Sequence, residues 1–319
     1  MKLSAVVGMW LDRPAEEALH TASLADQAGY DELWIGEMAT WDTFALATAV
    51  GLATERIRLT LGPFAVAVRG PVSIAMGAAS VAALTRREVG VAIGTSSTAV
   101  VEQWHGRSRA RSGVRLEESA QALRGVLAGD RSDFAGELIQ TSGFRLRLDP
   151  PGGSLTVAAF GPSAVTTAAR HADRMVINLV SPDQAATLRA SLDVAAARAG
   201  RPAPVLAAWV PAAVDPAPEA YAQLVRGLVP YLAAPGYGEM FTAAGFGEAV
   251  TLARKGAHPR ELLPALPPEI TGVVGLVGDL ASVRARLAEY AQAGVDEVAI
   301  VPATGGDPGG ERTLTALGP

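Results

Sequence analysis

The stretch QAGYDELWI at residues 27–35 carries the signals from which we predict the fold. A segment suited to a helix ends at Gly29, a short turn carries Asp31, and an apolar run then begins. Nearly the same letters return as QAGVDEVAI at residues 292–300. Because a helix often ends at a glycine in the left-handed conformation, Gly29 and Gly294 are predicted to lie just beyond helix C-termini. Each copy predicts a helix, a tight turn and a buried parallel strand, either as an internal repeat or because such turns converge on similar residues.

Short β-type runs alternate with longer helical patterns along almost the whole chain, which indicates parallel βαβ units. Eight strands are predicted, at residues 3–8, 31–36, 57–65, 88–94, 154–160, 173–179, 204–212 and 296–301. Eight helices are predicted, at residues 14–28, 42–53, 71–85, 114–128, 162–171, 182–199, 216–229 and 279–293. Eight strand–helix units predict an α/β fold of the (β/α)8 or TIM-barrel type, as a single domain spanning residues 1–319.

Three segments depart from the alternation. Residues 130–150 alternate polar and apolar positions around two glycines, which predicts a small hairpin. Residues 230–270 are rich in glycine, proline and aromatic residues, and we expect either a lid over the barrel mouth or an ordinary surface insertion. The segment TGGDPGGE at residues 304–311 is predicted to be a mobile loop because of its glycine content.

Composition limits the class of protein. The 319 residues are 49% hydrophobic and contain no apolar run of about 18 residues, so a large core is expected and a membrane span is not. The start MKLSAVVGMW lacks the apolar segment of a signal peptide, and a cytoplasmic location is therefore expected. With no cysteine, thiolate metal sites and cysteine nucleophiles are excluded. The net charge of −5 argues against a nucleic-acid partner.

The predicted strand ends lack the residues of several enzyme classes. In such barrels the active site lies at the C-terminal ends of the strands. No lysine lies there, which disfavours a Schiff-base aldolase, and Glu37 is the one carboxylate placed firmly, which disfavours a glycosidase and a protein-built metal site. The chain contains no GxSxG, GxGxxG or Walker A pattern. Of four dispersed histidines, His105 alone follows closely on a strand end.

The residues that remain at these ends are apolar, aromatic or hydroxyl-bearing. A pocket without reactive groups of its own indicates that a bound cofactor supplies the chemistry. AFGPS at residues 159–163 starts a predicted helix, whose free N–H groups could bind a phosphate. GTSST at residues 94–98 brings hydroxyl groups to another strand–helix junction. Both segments are also compatible with simple turns and helix caps.

Several passages together resemble one family. They are AGYDELWIGE (28–37), ATERIRLTLGPFAVAVRGP (53–71), VGVAIGTSS (89–97), EESAQALRGVLAG (117–129), VAAFGPSAVTTAARHADRMVINLVSP (157–182) and GLVGDLASVRARLAEYAQAGVDEVAIVP (275–302). In order and spacing they resemble the luciferase-like monooxygenase superfamily. The closer resemblance is to its branch of oxidoreductases that depend on coenzyme F420, a deazaflavin.

The resemblance implies a cofactor ring lying across the strand ends, with Glu37 beside it, and a homodimer. It also implies a bulge at the end of the third strand, with a non-prolyl cis peptide bond between Phe64 and Ala65. The anionic part of the cofactor would lie near the two turns described above. The cofactor-binding residues so implied are Glu37, Phe64, Ala65, Gly94, Thr95, Ser96, Ala159, Phe160, Gly161, Pro162 and Asn178.

Departures from the family pattern bear on the substrate. Relatives commonly carry histidine after the acid of the second strand, where this chain has Met38. The sugar-phosphate dehydrogenases of the family carry glutamate where Ser97 stands, and their phosphate-binding lysines have no counterpart. A largely apolar or neutral small molecule is therefore the expected substrate, in a pocket formed by Trp10, Met38 and Trp41.

The leading hypothesis is an oxidoreductase in which a hydride passes between coenzyme F420 and this substrate. Glu37 and Trp41 are the predicted catalytic residues, although Glu37 could instead act as an acidic cap for the helix at 42–53. One alternative is a monooxygenase that uses reduced FMN, oxygen and a separate cofactor reductase. Another is a non-catalytic barrel that binds a flavin-like ligand.

Overall fold

The computed structural model describes residues 1–8, 10–37 and 39–319. The described chain has eleven strands. They are β1 (Lys2–Val6), β2 (Glu32–Ile35), β3 (Arg58–Ala65), β4 (Val89–Gly94), β5 (Asp133–Ala135), β6 (Gln140–Ser142), β7 (Gly152–Ala158), β8 (Arg174–Asn178), β9 (Val205–Val214), β10 (Leu276–Gly278) and β11 (Glu297–Pro302).

Nine of these strands form one sheet in the order β10-β9-β11-β1-β2-β3-β4-β7-β8, and β9 also pairs with β8. With helices between the parallel strands, the fold is a (β/α)8 barrel, as the sequence predicted. All eight predicted strands are present, within about three residues at each end. The prediction missed β10, a three-residue strand that pairs with the end of β9.

The described chain has thirteen α-helices. They are α1 (Glu17–Gln27), α2 (Thr43–Ala53), α3 (Pro71–Thr85), α4 (Ser112–Leu127), α5 (Pro162–His171), α6 (Pro182–Arg198), α7 (Pro218–Leu228), α8 (Tyr237–Phe241), α9 (Gly247–Arg254), α10 (Pro259–Leu262), α11 (Thr271–Val274), α12 (Leu280–Gln292) and α13 (Glu311–Leu317). Two π-helical turns lie at Ala99–Trp104 and Thr242–Phe246. Short 3-10 turns lie at Val229–Tyr231, Leu263–Ala265, Pro268–Ile270 and Pro308–Gly310.

The eight predicted helices correspond to α1–α7 and α12. The bounds of α3 and α5 agree with the prediction because a proline begins each helix and fixes its first turn. Gly29 (φ 88°) and Gly294 (φ 81°) adopt the left-handed conformation that the repeated motif predicted. These local signals explain why the helix ends could be found from sequence.

The described chain consists of two compact units. The central unit comprises residues 31–176 and 190–206, and the terminal unit comprises residues 1–30, 177–189 and 207–319. Strands β2, β3, β4 and β7, with helices α2–α5, belong to the central unit. Most of the predicted cofactor-binding residues therefore lie in that unit.

The interior of the central unit contains a buried ion pair between Arg174 and Glu32. Nη2 of Arg174 donates to Oε1 of Glu32 at 2.7 Å and to Oγ1 of Thr60 at 3.0 Å. Its Nε donates to Oγ1 of Thr156 at 3.1 Å, and its guanidinium lies 4.1 Å from the ring centroid of Trp34. These hydrogen bonds offset the cost of removing both charges from water.

The end of β3 has the predicted bulge but not the predicted cis bond. The register of β3 against β4 shifts between Leu61 and Phe64. The cis peptide bond lies between Gly62 and Pro63, and the bond between Phe64 and Ala65 is not cis. The prediction for Phe64–Ala65 was therefore wrong by two residues. Proline tolerates a cis bond far better than other residues, and Pro63 supplies it here.

The two insertions contain different structures. Strands β5 and β6 form an antiparallel hairpin, as predicted for residues 130–150. Three backbone N–H groups at its turn, those of Glu137, Leu138 and Ile139, donate to the carboxylate of Glu118 at 2.8–2.9 Å. Residues 230–270 form the short helices α8–α10 with intervening turns. Their role as a lid stays a prediction.

The segment at 304–311 is ordered into turns and packed, contrary to the prediction of a mobile loop. Oε1 of Gln223 accepts the N–H groups of Thr304 at 2.7 Å and Gly305 at 3.0 Å. Gly310 (φ 74°) is buried, and a Cβ there would lie 2.3 Å from Cβ of Pro302. Its glycines permit close packing and left-handed turns, which local composition cannot distinguish from flexibility.

Candidate active site

A cleft opens in the central unit where β2, β3 and β4 end. Its lining includes Glu37 after β2, Ala65 at the end of β3 and Ser96 after β4. The π-helical turn that follows β4 adds Trp104, and His105 comes directly after it. The structure thus brings together three of the residues predicted to bind a cofactor and adds an indole and an imidazole.

Glu37 is paired with Arg69, which follows β3. Nε of Arg69 donates to Oε1 of Glu37 at 2.7 Å, and Nη2 contacts the same oxygen. Nη2 of Arg69 also contacts Oδ2 of Asp42. Glu37 therefore does not stand alone at the strand end, because one guanidinium joins it to a second carboxylate.

Asp42, not Glu37, caps helix α2. Its Oδ1 accepts the N–H groups of Phe44 at 3.0 Å and Ala45 at 3.1 Å. This contact satisfies two of the N–H groups that a helix start leaves unpaired. The alternative role of Glu37 as a helix cap is therefore wrong, since Asp42 performs it.

Hydrogen bonding and burial have opposite effects on the pKa values of Asp42 and Arg69. Burial alone would raise the pKa of Asp42, but hydrogen bonds from Arg69 and from the N–H groups at the start of α2 lower it overall. Burial likewise lowers the pKa of Arg69, while hydrogen bonds to Glu37 and Asp42 raise it overall. Asp42 and Arg69 therefore stay ionised around neutral pH, and Arg69 also joins Glu37 to this pair.

Arg69 is also held by two aromatic rings. Its guanidinium carbon lies 5.1 Å from the ring centroid of Phe44 and 5.6 Å from that of Phe64. The two ring centroids are 5.0 Å apart. Phe64 is fully buried, so it packs behind the cleft and does not line it. Contacts of this kind fix the guanidinium and, through it, the position of the Glu37 carboxylate.

The hydroxyl groups of the GTSST segment divide into two kinds. Oγ of Ser97 accepts the N–H of Val100 in the π-helical turn at 3.2 Å, and Oγ1 of Thr98 accepts a hydrogen bond from Nη1 of Arg109 at 3.3 Å. The hydroxyls of Ser97 and Thr98 thus stabilise local structure, which is one of the two roles that the sequence analysis left open for this segment. Ser96 is exposed in a left-handed conformation (φ 57°) and lines the cleft, and Thr95 is half-buried beside it.

The AFGPS segment forms the open start of helix α5. Gly161 is the N-cap residue, no side chain caps the helix, and a Cβ on Gly161 would have no atom within 4 Å. Pro162 begins the helix, Ala159 is buried, and Phe160 is half-buried. An open helix start with unpaired N–H groups suits an anionic group such as a phosphate. The binding of the anionic part of the cofactor at this helix start stays a prediction.

Gly94 ends strand β4 and is buried. A Cβ at this position would lie 3.2 Å from Cβ of Ala158, the last residue of β7. Glycine therefore lets the ends of β4 and β7 approach closely next to the GTSST segment. Strand packing thus accounts for the small residue at this position, and its place beside a ligand stays a prediction.

Two predicted residues lie in the terminal unit. The carbonyl oxygen of Asn178 accepts the hydroxyl of Tyr237 at 2.9 Å, and its Nδ2 donates to Oη of Tyr231 at 3.4 Å. Burial raises the pKa of both tyrosines, so both hydroxyls stay protonated. Nε1 of Trp10 donates to the carbonyl oxygen of Pro302 at 2.8 Å, which fixes the indole.

The predicted substrate pocket has two further members. Trp41 belongs to the central unit, and 39% of its side chain is exposed. Met38 lies outside the described residues. A joint pocket of Trp10, Met38 and Trp41 stays a prediction.

Sequence reasoning missed Arg69, the partner of Glu37. Arg69 is the first charged residue after the long apolar run of β3, which is a signal in the sequence. The run itself gives no indication that the guanidinium turns towards Glu37, 32 residues earlier. The position of His105 after a strand end was noticed, but not its place in the same cleft as Glu37.

Two other features are absent from the described part of the chain. Within residues 1–8, 10–37 and 39–319, no three His, Asp or Glu side chains are arranged to hold a metal ion. In the same ranges, every helix is too short or too polar to cross a bilayer.

The structure is a (β/α)8 barrel with a Glu37–Arg69 pair and a largely apolar cleft where β2, β3 and β4 end, the edge at which barrels of this class place their active sites. A family model described as luciferase-like monooxygenase matches residues 2–297. The chain belongs to this family.

Known relatives are similar over their full length. A Mycobacterium tuberculosis protein with the provisional name coenzyme F420-dependent oxidoreductase is 24% identical over 99% of both chains. The structure of coenzyme F420-dependent tetrahydromethanopterin reductase from Methanopyrus kandleri superposes with a TM-score of 0.82 at 17% identity, covering 100% of this chain and 98% of that one. The oxygenating constituent of 3,6-diketocamphane monooxygenase from Pseudomonas putida, solved with FMN, gives a TM-score of 0.72 at 15% identity, covering 100% and 96%.

Proposed function

We propose that this protein is an oxidoreductase that transfers a hydride between coenzyme F420 and a largely apolar or neutral organic substrate. The observation that carries the proposal is the cleft at the strand ends, in which Glu37, Ala65 and Ser96 meet. The full-length similarity to a protein named as dependent on coenzyme F420 supports the choice of cofactor.

The residues of the central unit have separate parts in this proposal. Ala65, Ser96 and Trp104 would hold the deazaflavin ring in the cleft, and the open start of α5 at Gly161 would bind an anionic group. Glu37, fixed by Arg69, would accept a hydrogen bond from the ring or from the substrate. When bound, coenzyme F420 supplies or accepts the hydride.

The cleft also bears on the substrate class. Apolar side chains, those of Pro63, Val68 and Val100, complete its lining. The described cleft residues include no lysine or arginine, whereas a phosphorylated substrate calls for such a side chain. A neutral compound with a large apolar portion therefore suits this cleft better than a sugar phosphate.

The second candidate is a monooxygenase that uses reduced FMN. The observation in its favour is the fold shared with the FMN-bound oxygenating constituent from Pseudomonas putida. Such an enzyme would need oxygen and a separate reductase to supply the reduced cofactor. A barrel that binds a flavin-like ligand without catalysis is the third candidate, because fold alone does not imply activity.

A cofactor titration separates the first two candidates. We expect coenzyme F420 to bind the purified protein with a Kd near or below about 10 μM, with FMN at least about tenfold weaker, a difference of about 1.4 kcal/mol. Fluorescence of each cofactor, oxidised and reduced, provides the measurement. Tight binding of FMN alone would reject coenzyme F420 as the cofactor. Binding without hydride transfer to any of a panel of enones and imines would favour the non-catalytic barrel.

We also propose that the protein is a homodimer that associates through helices α2 and α3. Neither helix contains a charged residue. Their exposed faces carry Leu52 (69% exposed), Met76 (49%) and Leu84 (64%). The two helices pack closely at Gly77, where a Cβ would lie 2.4 Å from the ring of Phe44. Two adjacent helices that expose apolar side chains and no charge are typical of a surface that self-association covers.

Charge introduced on this face should disrupt the dimer. We expect wild-type protein to sediment with about twice the chain mass of 32.8 kDa, and the double variant Leu52→Glu/Leu84→Glu to sediment as a monomer. Each glutamate would be removed from water at the interface without a partner, which costs several kcal/mol. Val194→Glu on α6, where Val194 is 52% exposed, is the matched control and should remain dimeric. A monomeric wild type would mean that the protein does not dimerise. A dimeric double variant would mean that the interface lies elsewhere.

A further inference from the structure

We infer that His105 is a catalytic residue that donates the proton accompanying hydride transfer, an inference that rests on the proposed function. Hydride addition to a carbon of an unsaturated substrate leaves a pair of electrons on a neighbouring atom, and that atom must gain a proton. His105 is the only histidine among the described residues that line the cleft. Imidazole is the side chain that most readily both holds and releases a proton near neutral pH.

Backbone hydrogen bonds fix the turn at His105, while the imidazole ring has no hydrogen bond to another described residue. The N–H of His105 donates to the carbonyl oxygen of Glu102, and that of Arg107 donates to the carbonyl oxygen of Val101 at 2.9 Å. Val101 is fully buried, so the turn is fixed to the interior. No other described residue hydrogen-bonds to the His105 ring. Both ring nitrogens are therefore available to a ligand in the cleft.

The other polar groups of the cleft are poorly suited to this step. Oε1 of Glu37 already accepts from Nε and Nη2 of Arg69, so this side chain serves as a hydrogen-bond acceptor in the cleft. The hydroxyl of Ser96 and the indole N–H of Trp104 are donors that do not release their protons near neutral pH. Among the described lining residues, His105 is left as the proton donor in a cleft that also contains an acceptor, Glu37.

For an α,β-unsaturated carbonyl substrate, the hydride and the proton go to different atoms. A hydride from reduced coenzyme F420 forms a bond to the β carbon, and the π electrons of the C=C bond move towards the carbonyl group. The His105 imidazolium would give its proton to the α carbon of the resulting enolate, the C=O bond would re-form, and His105 would become neutral imidazole. Coenzyme F420 would supply the two electrons with the hydride and release its remaining proton to solvent, and the substrate would be reduced to the saturated carbonyl compound. Because His105 is exposed, it can regain a proton from solvent.

The test combines single-turnover kinetics with a binding readout. Reduced coenzyme F420 and cyclohex-2-enone are mixed with each variant, and the return of deazaflavin fluorescence gives the rate of hydride transfer. We expect His105→Gln to lower the rate constant by about 10²–10⁴-fold while the Kd for the cofactor changes less than about threefold. Added imidazole should restore part of the rate in His105→Ala. The matched control His20→Gln alters an exposed histidine of α1 in the terminal unit and should keep the wild-type rate.

A second measurement does not depend on turnover. The ring resonances of His105, assigned by their loss in His105→Gln, should shift when oxidised coenzyme F420 is added to wild-type protein, and those of His20 should not. A normal rate in His105→Gln, or unshifted His105 resonances with the cofactor bound, would overturn the assignment of His105 and leave the proposed function standing. Failure of wild-type protein to bind coenzyme F420 would overturn both.

Discussion

Arg174→Met should lower the free energy of unfolding by about 3–5 kcal/mol, because it removes the cation that offsets the cost of burying the Glu32 carboxylate. Both side chains are nearly inaccessible, at 6% for Arg174 and 8% for Glu32. The substitution also removes the hydrogen bonds to Thr60 and Thr156 and the contact with the ring of Trp34. Urea unfolding of the purified variant, followed by circular dichroism, measures the change.

Two further variants test whether the loss of stability comes from the buried charge. Arg170→Met removes an exposed arginine that pairs with Glu117, and should change the free energy by no more than about 1 kcal/mol. The double variant Glu32→Gln/Arg174→Met should recover part of the stability, since no unpaired charge then remains in the interior. If Arg174→Met is as stable as Arg170→Met, the buried pair does not stabilise the central unit.

Arg69→Met should reduce the rate of hydride transfer by about 10²-fold, because the carboxylate of Glu37 then loses the group that fixes its position. Arg69 joins Glu37 to Asp42 and packs against Phe44 and Phe64, so a flexible apolar side chain cannot replace it. Arg69→Lys keeps the charge without the planar, forked donor set and should give an intermediate rate. Single-turnover kinetics with reduced coenzyme F420 provide the measurement.

A double-mutant cycle tests whether Arg69 acts through Glu37. If it does, Glu37→Gln, Arg69→Met and the double variant should have similar rates, and their effects should not add. Urea unfolding should show a loss of about 1–2 kcal/mol for Arg69→Met, since the pair is partly exposed, so the variants remain folded during the assay. Arg170→Met is again the matched control and should keep the wild-type rate. Additive effects would mean that Arg69 acts on the ligand independently of Glu37.

Local sequence patterns were sufficient for the architecture. The period of apolar residues, the turn glycines at Gly29 and Gly294, and the prolines that begin α3 and α5 act over a few residues, and each is visible in the sequence. The same is true of the hairpin at 130–150. The short strand β10 was not predicted, because three residues are too few to show the alternation of apolar and polar residues that marks a strand. Its pairing with β9 is what makes it a strand.

The site was predicted only in part. Glu37, Ala65 and Ser96 could be placed at strand ends because the barrel fold itself brings those ends together. The partner of Glu37 could not, because Arg69 meets it through a side-chain contact between residues 32 positions apart. The cap of α2 was considered only for Glu37, because the predicted helix began at residue 42, whereas the helix begins at Thr43 and Asp42 is its N-cap.

The sequence by itself determined the (β/α)8 order of strands and helices and the residues at the strand ends, since both follow from short-range periodicity and turn chemistry. The tertiary structure alone decided the ion pair of Glu37 with Arg69, the place of His105 in the same cleft, and the packed state of residues 304–311. Each of these depends on side chains distant in sequence that approach within a few ångströms. Such contacts are set by how the strands and helices pack, and not by the identity of neighbours along the chain.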